Sequence, residues 1–250
     1  MARDFERRGC TRLSALIMSC GLLALCALVS SHGRSSAQEV EDQKTLQEVQ
    51  EIVKKIQARY EKTKDLQADF TQKTNIEGFT TPVVSSGRVY IKKPGRLRWD
   101  YVEPSVQEIY VNNDDVRMYV PEHKQVLVGK LTQMAASQAP LQLLQGVAKI
   151  QEEFDVEPTG QERGAGGIRR ITLLPKQGRH EPDRAIQRLV IEVQPKTFFL
   201  KVISLHEVSG NIATFEFGEL KPNSGLKDDI FDFHVPADVE VVKAPVVSRP

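Results

Sequence analysis

The 250-residue chain has few cysteines, few aromatic residues and no surplus of either charge. Its three cysteines, Cys10, Cys20 and Cys26, all stand near the start. A disulfide framework is therefore excluded for the rest of the chain, which must be held by core burial. A cysteine nucleophile is excluded there too. His123, His180, His206 and His234 are scattered without metal-ligand spacing. A Gly-x-Ser-x-Gly elbow and a phosphate-binding loop are both missing. Gly164-Ala165-Gly166-Gly167 resembles half of such a loop, but no Lys-Ser/Thr follows it, so it reads as a plain loop. The pairs Asp114-Asp115, Glu152-Glu153 and Asp228-Asp229 could mimic acid–base dyads, yet solvated turns account for them. No enzymatic activity, cofactor or metal is expected.

What is present at the start reads as an export signal. Arg3, Arg7, Arg8 and Arg12 precede an apolar run from Leu13 to about Val29, and Ser35-Ser36-Ala37 supplies the small residues of a cleavage site. Cleavage is expected after Ala37, with an uncleaved membrane anchor as the alternative. Leu25 ahead of Cys26 argues against lipidation of this chain. Without residues 1–37 the chain keeps 29 of its 34 basic and 31 of its 33 acidic residues. That near-neutral balance lacks the concentrated basic face that nucleic acid requires.

Beyond the signal, two periodicities divide the chain. Leu46, Val49, Val53, Ile56 and Tyr60 recur at three- and four-residue steps, which predicts an amphipathic helix over 42–63. From Leu66 the period becomes two. Strands are predicted near 66–76, 83–92, 96–102, 106–112, 115–120 and 124–129. Lys93-Pro94-Gly95, Asn112-Asn113-Asp114 and Pro121-Glu122-His123 supply the turns between them. Segment 130–153 breaks the alternation and reads as one or two short helices split by Pro140. Strands resume near 153–158, 168–175, 185–194, 198–208, 211–219 and 229–235. A sheet this long accumulates twist and curls, closing or nearly closing around a cavity. The expected architecture is one α+β domain, 38–250: an antiparallel β-barrel with an N-terminal helix and a helical insertion.

The blocks LQADFTQ (66–72), GRVYIKKPGRLRW (87–99), VNNDDVRMYVPEHKQV (111–126), APLQLLQG (139–146), LLPK (173–176) and FDFHVPADVEV (231–241) follow one another in this order. In these blocks and their spacing the chain resembles the LolA family, the periplasmic carriers of outer-membrane lipoproteins. The resemblance implies an unclosed barrel covered by helices, with an apolar cavity and a helical lid. It also implies a monomer that receives acylated lipoproteins from an inner-membrane ATP-driven transporter and passes them to an outer-membrane receptor. A periplasmic lipid- or lipoprotein-sensing regulatory binding protein is the alternative within the same fold.

The candidate residues follow from the strand period and from the matched blocks. Leu97, Trp99 and Tyr101 share one face of their strand. Val89 and Ile91 share a face of theirs, as do Val116, Met118 and Val120. Ordinary core packing explains them all. The resemblance places Leu97 and Trp99 at lipid-contacting cavity positions, and Val89, Ile91, Tyr101 and Met118 are expected beside them. Leu141, Leu143 and Leu144 are either the cavity side of the lid or a permanent cap. Lys93 occupies a position where the family typically has an arginine associated with lid contact and cargo release. Its ammonium lacks the guanidinium fork. Alternatively, Lys92, Lys93, Arg96 and Arg98 form a solvated hairpin tip.

Overall fold

The computed structural model describes residues 36–131, 140, 143, 144, 149–163, 169–176 and 185–243. Glu41–Pro250 is one compact unit; Met1–Val40 belongs to another, of which only the start of the first helix is described. The expected signal segment 1–37 thus lies almost wholly outside the described residues.

Helix α1 (Ser36–Lys62) contains neither Gly nor Pro and carries Glu39 in its first turn and Arg59 and Lys62 in its last, matching the helix dipole. Val49, Ile52, Val53, Ile56 and Tyr60 bury one stripe of it. Leu46 remains 36% exposed, so the buried stripe begins one turn later than the sequence pattern suggests. Ile52 joins it instead.

The strands form a single twelve-stranded sheet. They are β1 (Asp65–Asn75), β2 (Val83–Lys92), β3 (Arg96–Glu103), β4 (Gln107–Asn112), β5 (Asp115–Val120), β6 (Gln125–Lys130), β7 (Phe154–Arg163), β8 (Arg169–Pro175), β9 (Ile186–Val193), β10 (Leu200–Glu207), β11 (Ile212–Pro222) and β12 (Glu240–Lys243). A short helix, α2 (Ile150–Glu153), leads into β7. The order is β12-β6-β5-β4-β3-β2-β1-β11-β10-β9-β8-β7, so the sheet is unclosed. Every pairing is antiparallel except β12 with β6, which is parallel.

Register brings the apolar positions onto one inner face. Leu66 pairs with Ile91, Ile91 with Leu97, Leu97 with Val111 and Val111 with Val116. The next row runs Ala68, Val89, Trp99, Ile109, Met118 and Leu127. Directly paired residues point to the same side of a sheet, so the faces read separately on each strand merge into one. On the other half, Ile203 joins Phe215 and Ile191, and Ile191 joins Ile171. These side chains, Leu127 apart, form one apolar cluster with the buried stripe of α1. Each fully buried Val, Leu or Ile contributes about 1.5–3 kcal/mol.

The final stretch departs from expectation. Residues 229–235 are not a strand: Asp229–Phe231 is a 3-10 turn, and extended chain follows. The sequence FDFHV alternates because Phe231 and Phe233 both turn toward the sheet, not because it joins the ladder. Phe233 stacks on Tyr110 at 5.0 Å and on Tyr119 at 5.7 Å, on the outer face. Residues 223–239 therefore form a strap from the end of β11 across the outer face to β12 beside β6. Asp65 fastens its start. Its buried carboxylate accepts from the Ser224 amide at 2.7 Å, the Ser224 hydroxyl at 3.1 Å and the Gly225 amide at 3.2 Å. The β2–β3 hairpin holds its middle. Lys92 pairs with Asp228 at 2.7 Å and donates to the Leu226 carbonyl at 2.6 Å; Arg98 donates to the Ile230 carbonyl at 3.2 Å.

Gly87 in β2 shows how tightly the inner face is built. A Cβ there would lie 1.8 Å from the Asp100 carbonyl oxygen and 3.0 Å from the Phe70 ring. Neither the backbone nor the packed ring can yield that space cheaply. Gly87→Ala is expected to cost about 3 kcal/mol, at the upper end of overpacking effects, read as a lowered urea midpoint at an unchanged m-value.

Candidate functional site: an apolar inner face with a small cleft

The inner face centres on aromatic contacts. Trp99 lies 4.5 Å from Phe70, 5.6 Å from Phe215, 6.2 Å from Phe217 and 6.2 Å from Tyr101, ring centre to ring centre. Leu97 is 0% exposed and Trp99 1%. Val89 is buried with them, and Ile91, Tyr101 and Met118 pack against the same cluster half-buried. Leu143 and Leu144 are buried in it too. Leu141 lies outside the described residues. Of the eight expected cavity residues, the structure thus brings Leu97, Trp99, Tyr101, Val89, Ile91, Met118 and Leu144 together.

Beside the cluster a small open cleft of about 40 Å³ lies between the end of α1 and the β2–β3 turn. Tyr60, Leu66, Ile91, Lys93 and Leu144 are among its lining. That volume is far below the roughly 300–1,000 Å³ of small-molecule sites. Tyr60 ties the helix end into the sheet: its ring meets Phe199 edge-on at 5.5 Å, and its hydroxyl accepts from the Leu200 amide at 3.3 Å. Burial pushes that hydroxyl's pKa far upward, so it stays protonated.

Lys93 is at the rim. Its ammonium donates to the carbonyl of Tyr60 in the last turn of α1, where a cation complements the helix dipole and satisfies an end carbonyl. Burial lowers its pKa, and Glu61 opposes that effect. The expected latch onto segment 130–153 falls largely outside the described residues; the partner seen is the end of α1, with Leu144 lining the same cleft. Lys92, Arg96 and Arg98 do not form a solvated tip. They hold the strap and the outer-face acids, Arg98 with Asp100 at 2.9 Å and Arg96 with Asp228 at 3.3 Å.

Residues the sequence reading passed over also build the site. Phe70, Phe215 and Phe217 complete the aromatic cluster, Leu66 and Tyr60 line the cleft, and Gln72 binds the Tyr101 hydroxyl at 2.7 Å. Strand alternation marks the phenylalanines as buried, but only the β1–β11 register sets them against Trp99. At the far end of β1, Phe79 is 73% exposed in the β1–β2 loop, near Ile76, Val83 and Val84 in sequence. Among the described residues, no group of three or more His, Cys, Asp or Glu is placed to hold a metal ion, and no helix is long and apolar enough to cross a membrane.

Comparison with known proteins bears on this apolar face. The sequence profile described as "Outer membrane lipoprotein carrier protein LolA" matches residues 61–234. The chain belongs to the LolA family. Among its relatives, an outer-membrane lipoprotein carrier protein of Nitrosospira multiformis is 28% identical over 182 residues, covering 73% of this chain and 84% of that protein. One of Methylococcus capsulatus is 30% identical over 176 residues, covering 70% and 80%. An uncharacterized conserved protein of Thermus thermophilus shares the fold with a TM-score of 0.52 at 15% identity, covering 79% of this chain and 99% of that one. The aligned stretch contains β1 to β11 and most of the strap, so it includes all the described cluster residues of the sheet.

Because Leu97 is wholly enclosed, Leu97→Ala should leave a cavity rather than a wider pocket. A loss of about 2–5 kcal/mol in unfolding free energy is expected, measured by urea denaturation followed through the single tryptophan's fluorescence.

Proposed function

We propose that this LolA family member is a periplasmic carrier of acylated lipoproteins, with the apolar face around Leu97 and Trp99 as the surface that shields the acyl chains. The observation that supports this most is the continuity of that face. One sheet side, one helix stripe and Leu143 and Leu144 form a single apolar cluster next to an open cleft. In this reading the protein is cut after Ala37, accepts cargo released by an inner-membrane ATP-driven transporter and hands it to an outer-membrane receptor.

The energetics favour such a carrier. Two or three chains of about sixteen carbons cost on the order of 25–35 kcal/mol to expose to water, at about 0.8 kcal/mol per methylene. An apolar site removes most of that penalty, and transfer between two such sites is nearly neutral. The carrier then needs no energy source of its own. The cleft is small beside such chains, so loading parts α1 and Leu143–Leu144 from the sheet. Among the described residues, α1 is held by its buried stripe, by Arg59 donating to the Thr197 carbonyl at 2.8 Å, by the Tyr60 hydroxyl and by the Lys93 bond to the helix end.

Incubating the purified protein with spheroplasts should release newly made lipoproteins as a soluble complex. No release, with the native donor machinery present, would overturn the carrier reading. Ile91→Phe, which fills the cleft from an already half-buried position, should lower the released yield several-fold while far-ultraviolet circular dichroism is unchanged. Lys93→Leu should still load cargo but transfer it to outer membranes several-fold more slowly; unimpaired transfer would remove Lys93 from the mechanism.

A further inference from the structure

Among the described residues, one buried side-chain polar atom has no hydrogen-bond partner, and it is the indole Nε1 of Trp99. Leaving a buried N–H unpaired costs about 1–3 kcal/mol. A phenylalanine would supply comparable aromatic contacts to Phe70 and Phe215 without that cost.

The unpaired donor sits where the inner face changes character. Toward the β2–β3 turn the rows are apolar: Leu66, Ile91, Leu97, Val111. Toward the other end a polar file begins. The Tyr101 hydroxyl donates to Gln72 Oε1 at 2.7 Å, and Gln72 Nε2 donates to the Thr74 hydroxyl at 3.0 Å. Gln72 is paired with Phe215, which meets Trp99 edge-on, so the file lies on the same face. From Leu66 to Gln72 the face runs about 20 Å, at about 3.4 Å per strand residue. Burial raises the pKa of the Tyr101 hydroxyl to about 12, opposed by a smaller downward pull from a contact with the indole N–H that falls short of hydrogen-bond geometry.

Resting on the carrier reading, we propose that Trp99 Nε1 is the donor for a neutral acyl carbonyl, the ester or amide at the root of the cargo's acyl chains. The chains then lie toward Leu97 and Leu66, and the polar root lies toward Tyr101 and Gln72. The chemistry matches on both sides. Indole is a donor only, and an ester carbonyl is an acceptor only. A carboxylate is a poorer ligand here, since burial resists the anionic form of Tyr101 beside it and would resist a ligand's charge in the same way. A site with a buried donor also discriminates: an analogue without the acceptor leaves the N–H unpaired. The face would thus recognise an acylated glycerol and not merely an oily chain.

The test pairs a ligand change with a residue change. A diacylglycerol and a dialkyl ether of the same chain length compete with a fluorescent apolar probe for the wild-type protein and for Trp99→Phe. The wild type is expected to prefer the ester about tenfold, and the variant to bind both within about twofold of each other. An equal ester preference in the two proteins, or none in either, overturns the assignment. Because the chain has a single tryptophan, its indole ¹H–¹⁵N resonance gives a second readout on unaltered protein. It should move downfield with the ester and not with the ether; identical shifts overturn the assignment even if Trp99→Phe fails to fold. A diacylglyceryl-cysteine lipopeptide should compete better than a diacyl phospholipid, and the reverse order would overturn lipoprotein as the source of the carbonyl. If neither glycerol lipid nor the lipopeptide binds the wild type, the carrier reading itself falls. Binding of all of them without ester preference removes only the role of Trp99.

Discussion

The packing of Trp99 against Phe70, Phe215 and Phe217 fixes how β3, β1 and β11 curve toward one another, and the rest of the inner face is arranged around it. Four large rings from three strands must meet without a gap. β2, which runs between β1 and β3, can therefore afford no side chain at the level of Phe70, and Gly87 stands there. The same curvature lets residues as distant as Met118 and Ile171 join one cluster. Among the described residues, that common face is covered by one buried stripe of α1 together with Leu143 and Leu144.

The β2–β3 hairpin divides its basic residues between two tasks by the strand period. Lys92, Arg96 and Arg98 point outward and hold the strap through Asp228 and the carbonyls of Leu226 and Ile230. Lys93, at the turn, reaches the helix end instead. One short basic stretch thus stands between the strap on the outer face and the helix on the inner one. Exposed ion pairs of this kind contribute little singly. Their value here lies in position, because each also ends on a backbone group of a segment that has no ladder partner.

Much of this was legible in the sequence. The change from a three-to-four residue period to a period of two locates α1 and nearly all strands, since burial on one side imposes its own spacing. Leu97 and Trp99 were readable as inward because their strand alternates cleanly. Register was not readable: nothing local in Val89 or Phe217 says which strand stands beside it, so the aromatic cluster emerged only from the pairings. The strap defeated the strand pattern for a related reason. Phe231 and Phe233 have one-sided contacts, as strand residues do, and alternation reports the contacts without reporting the hydrogen bonds. Polar inner-face residues such as Gln72 were passed over because a glutamine in a strand ordinarily marks the wet side.

An open sheet has two rims, and each is a template on which another chain could pair. Here the strap ends by laying β12 along β6, so the rim on that side belongs to a four-residue strand carrying Glu240 and Lys243. The other rim is β7, where Asp155 and Glu157 are exposed and Pro158 removes a donor from the row. Short length, charge and proline are what discourage edge-to-edge growth. A sheet left unclosed around a greasy interior thus carries, at each rim, features that oppose pairing with a further strand.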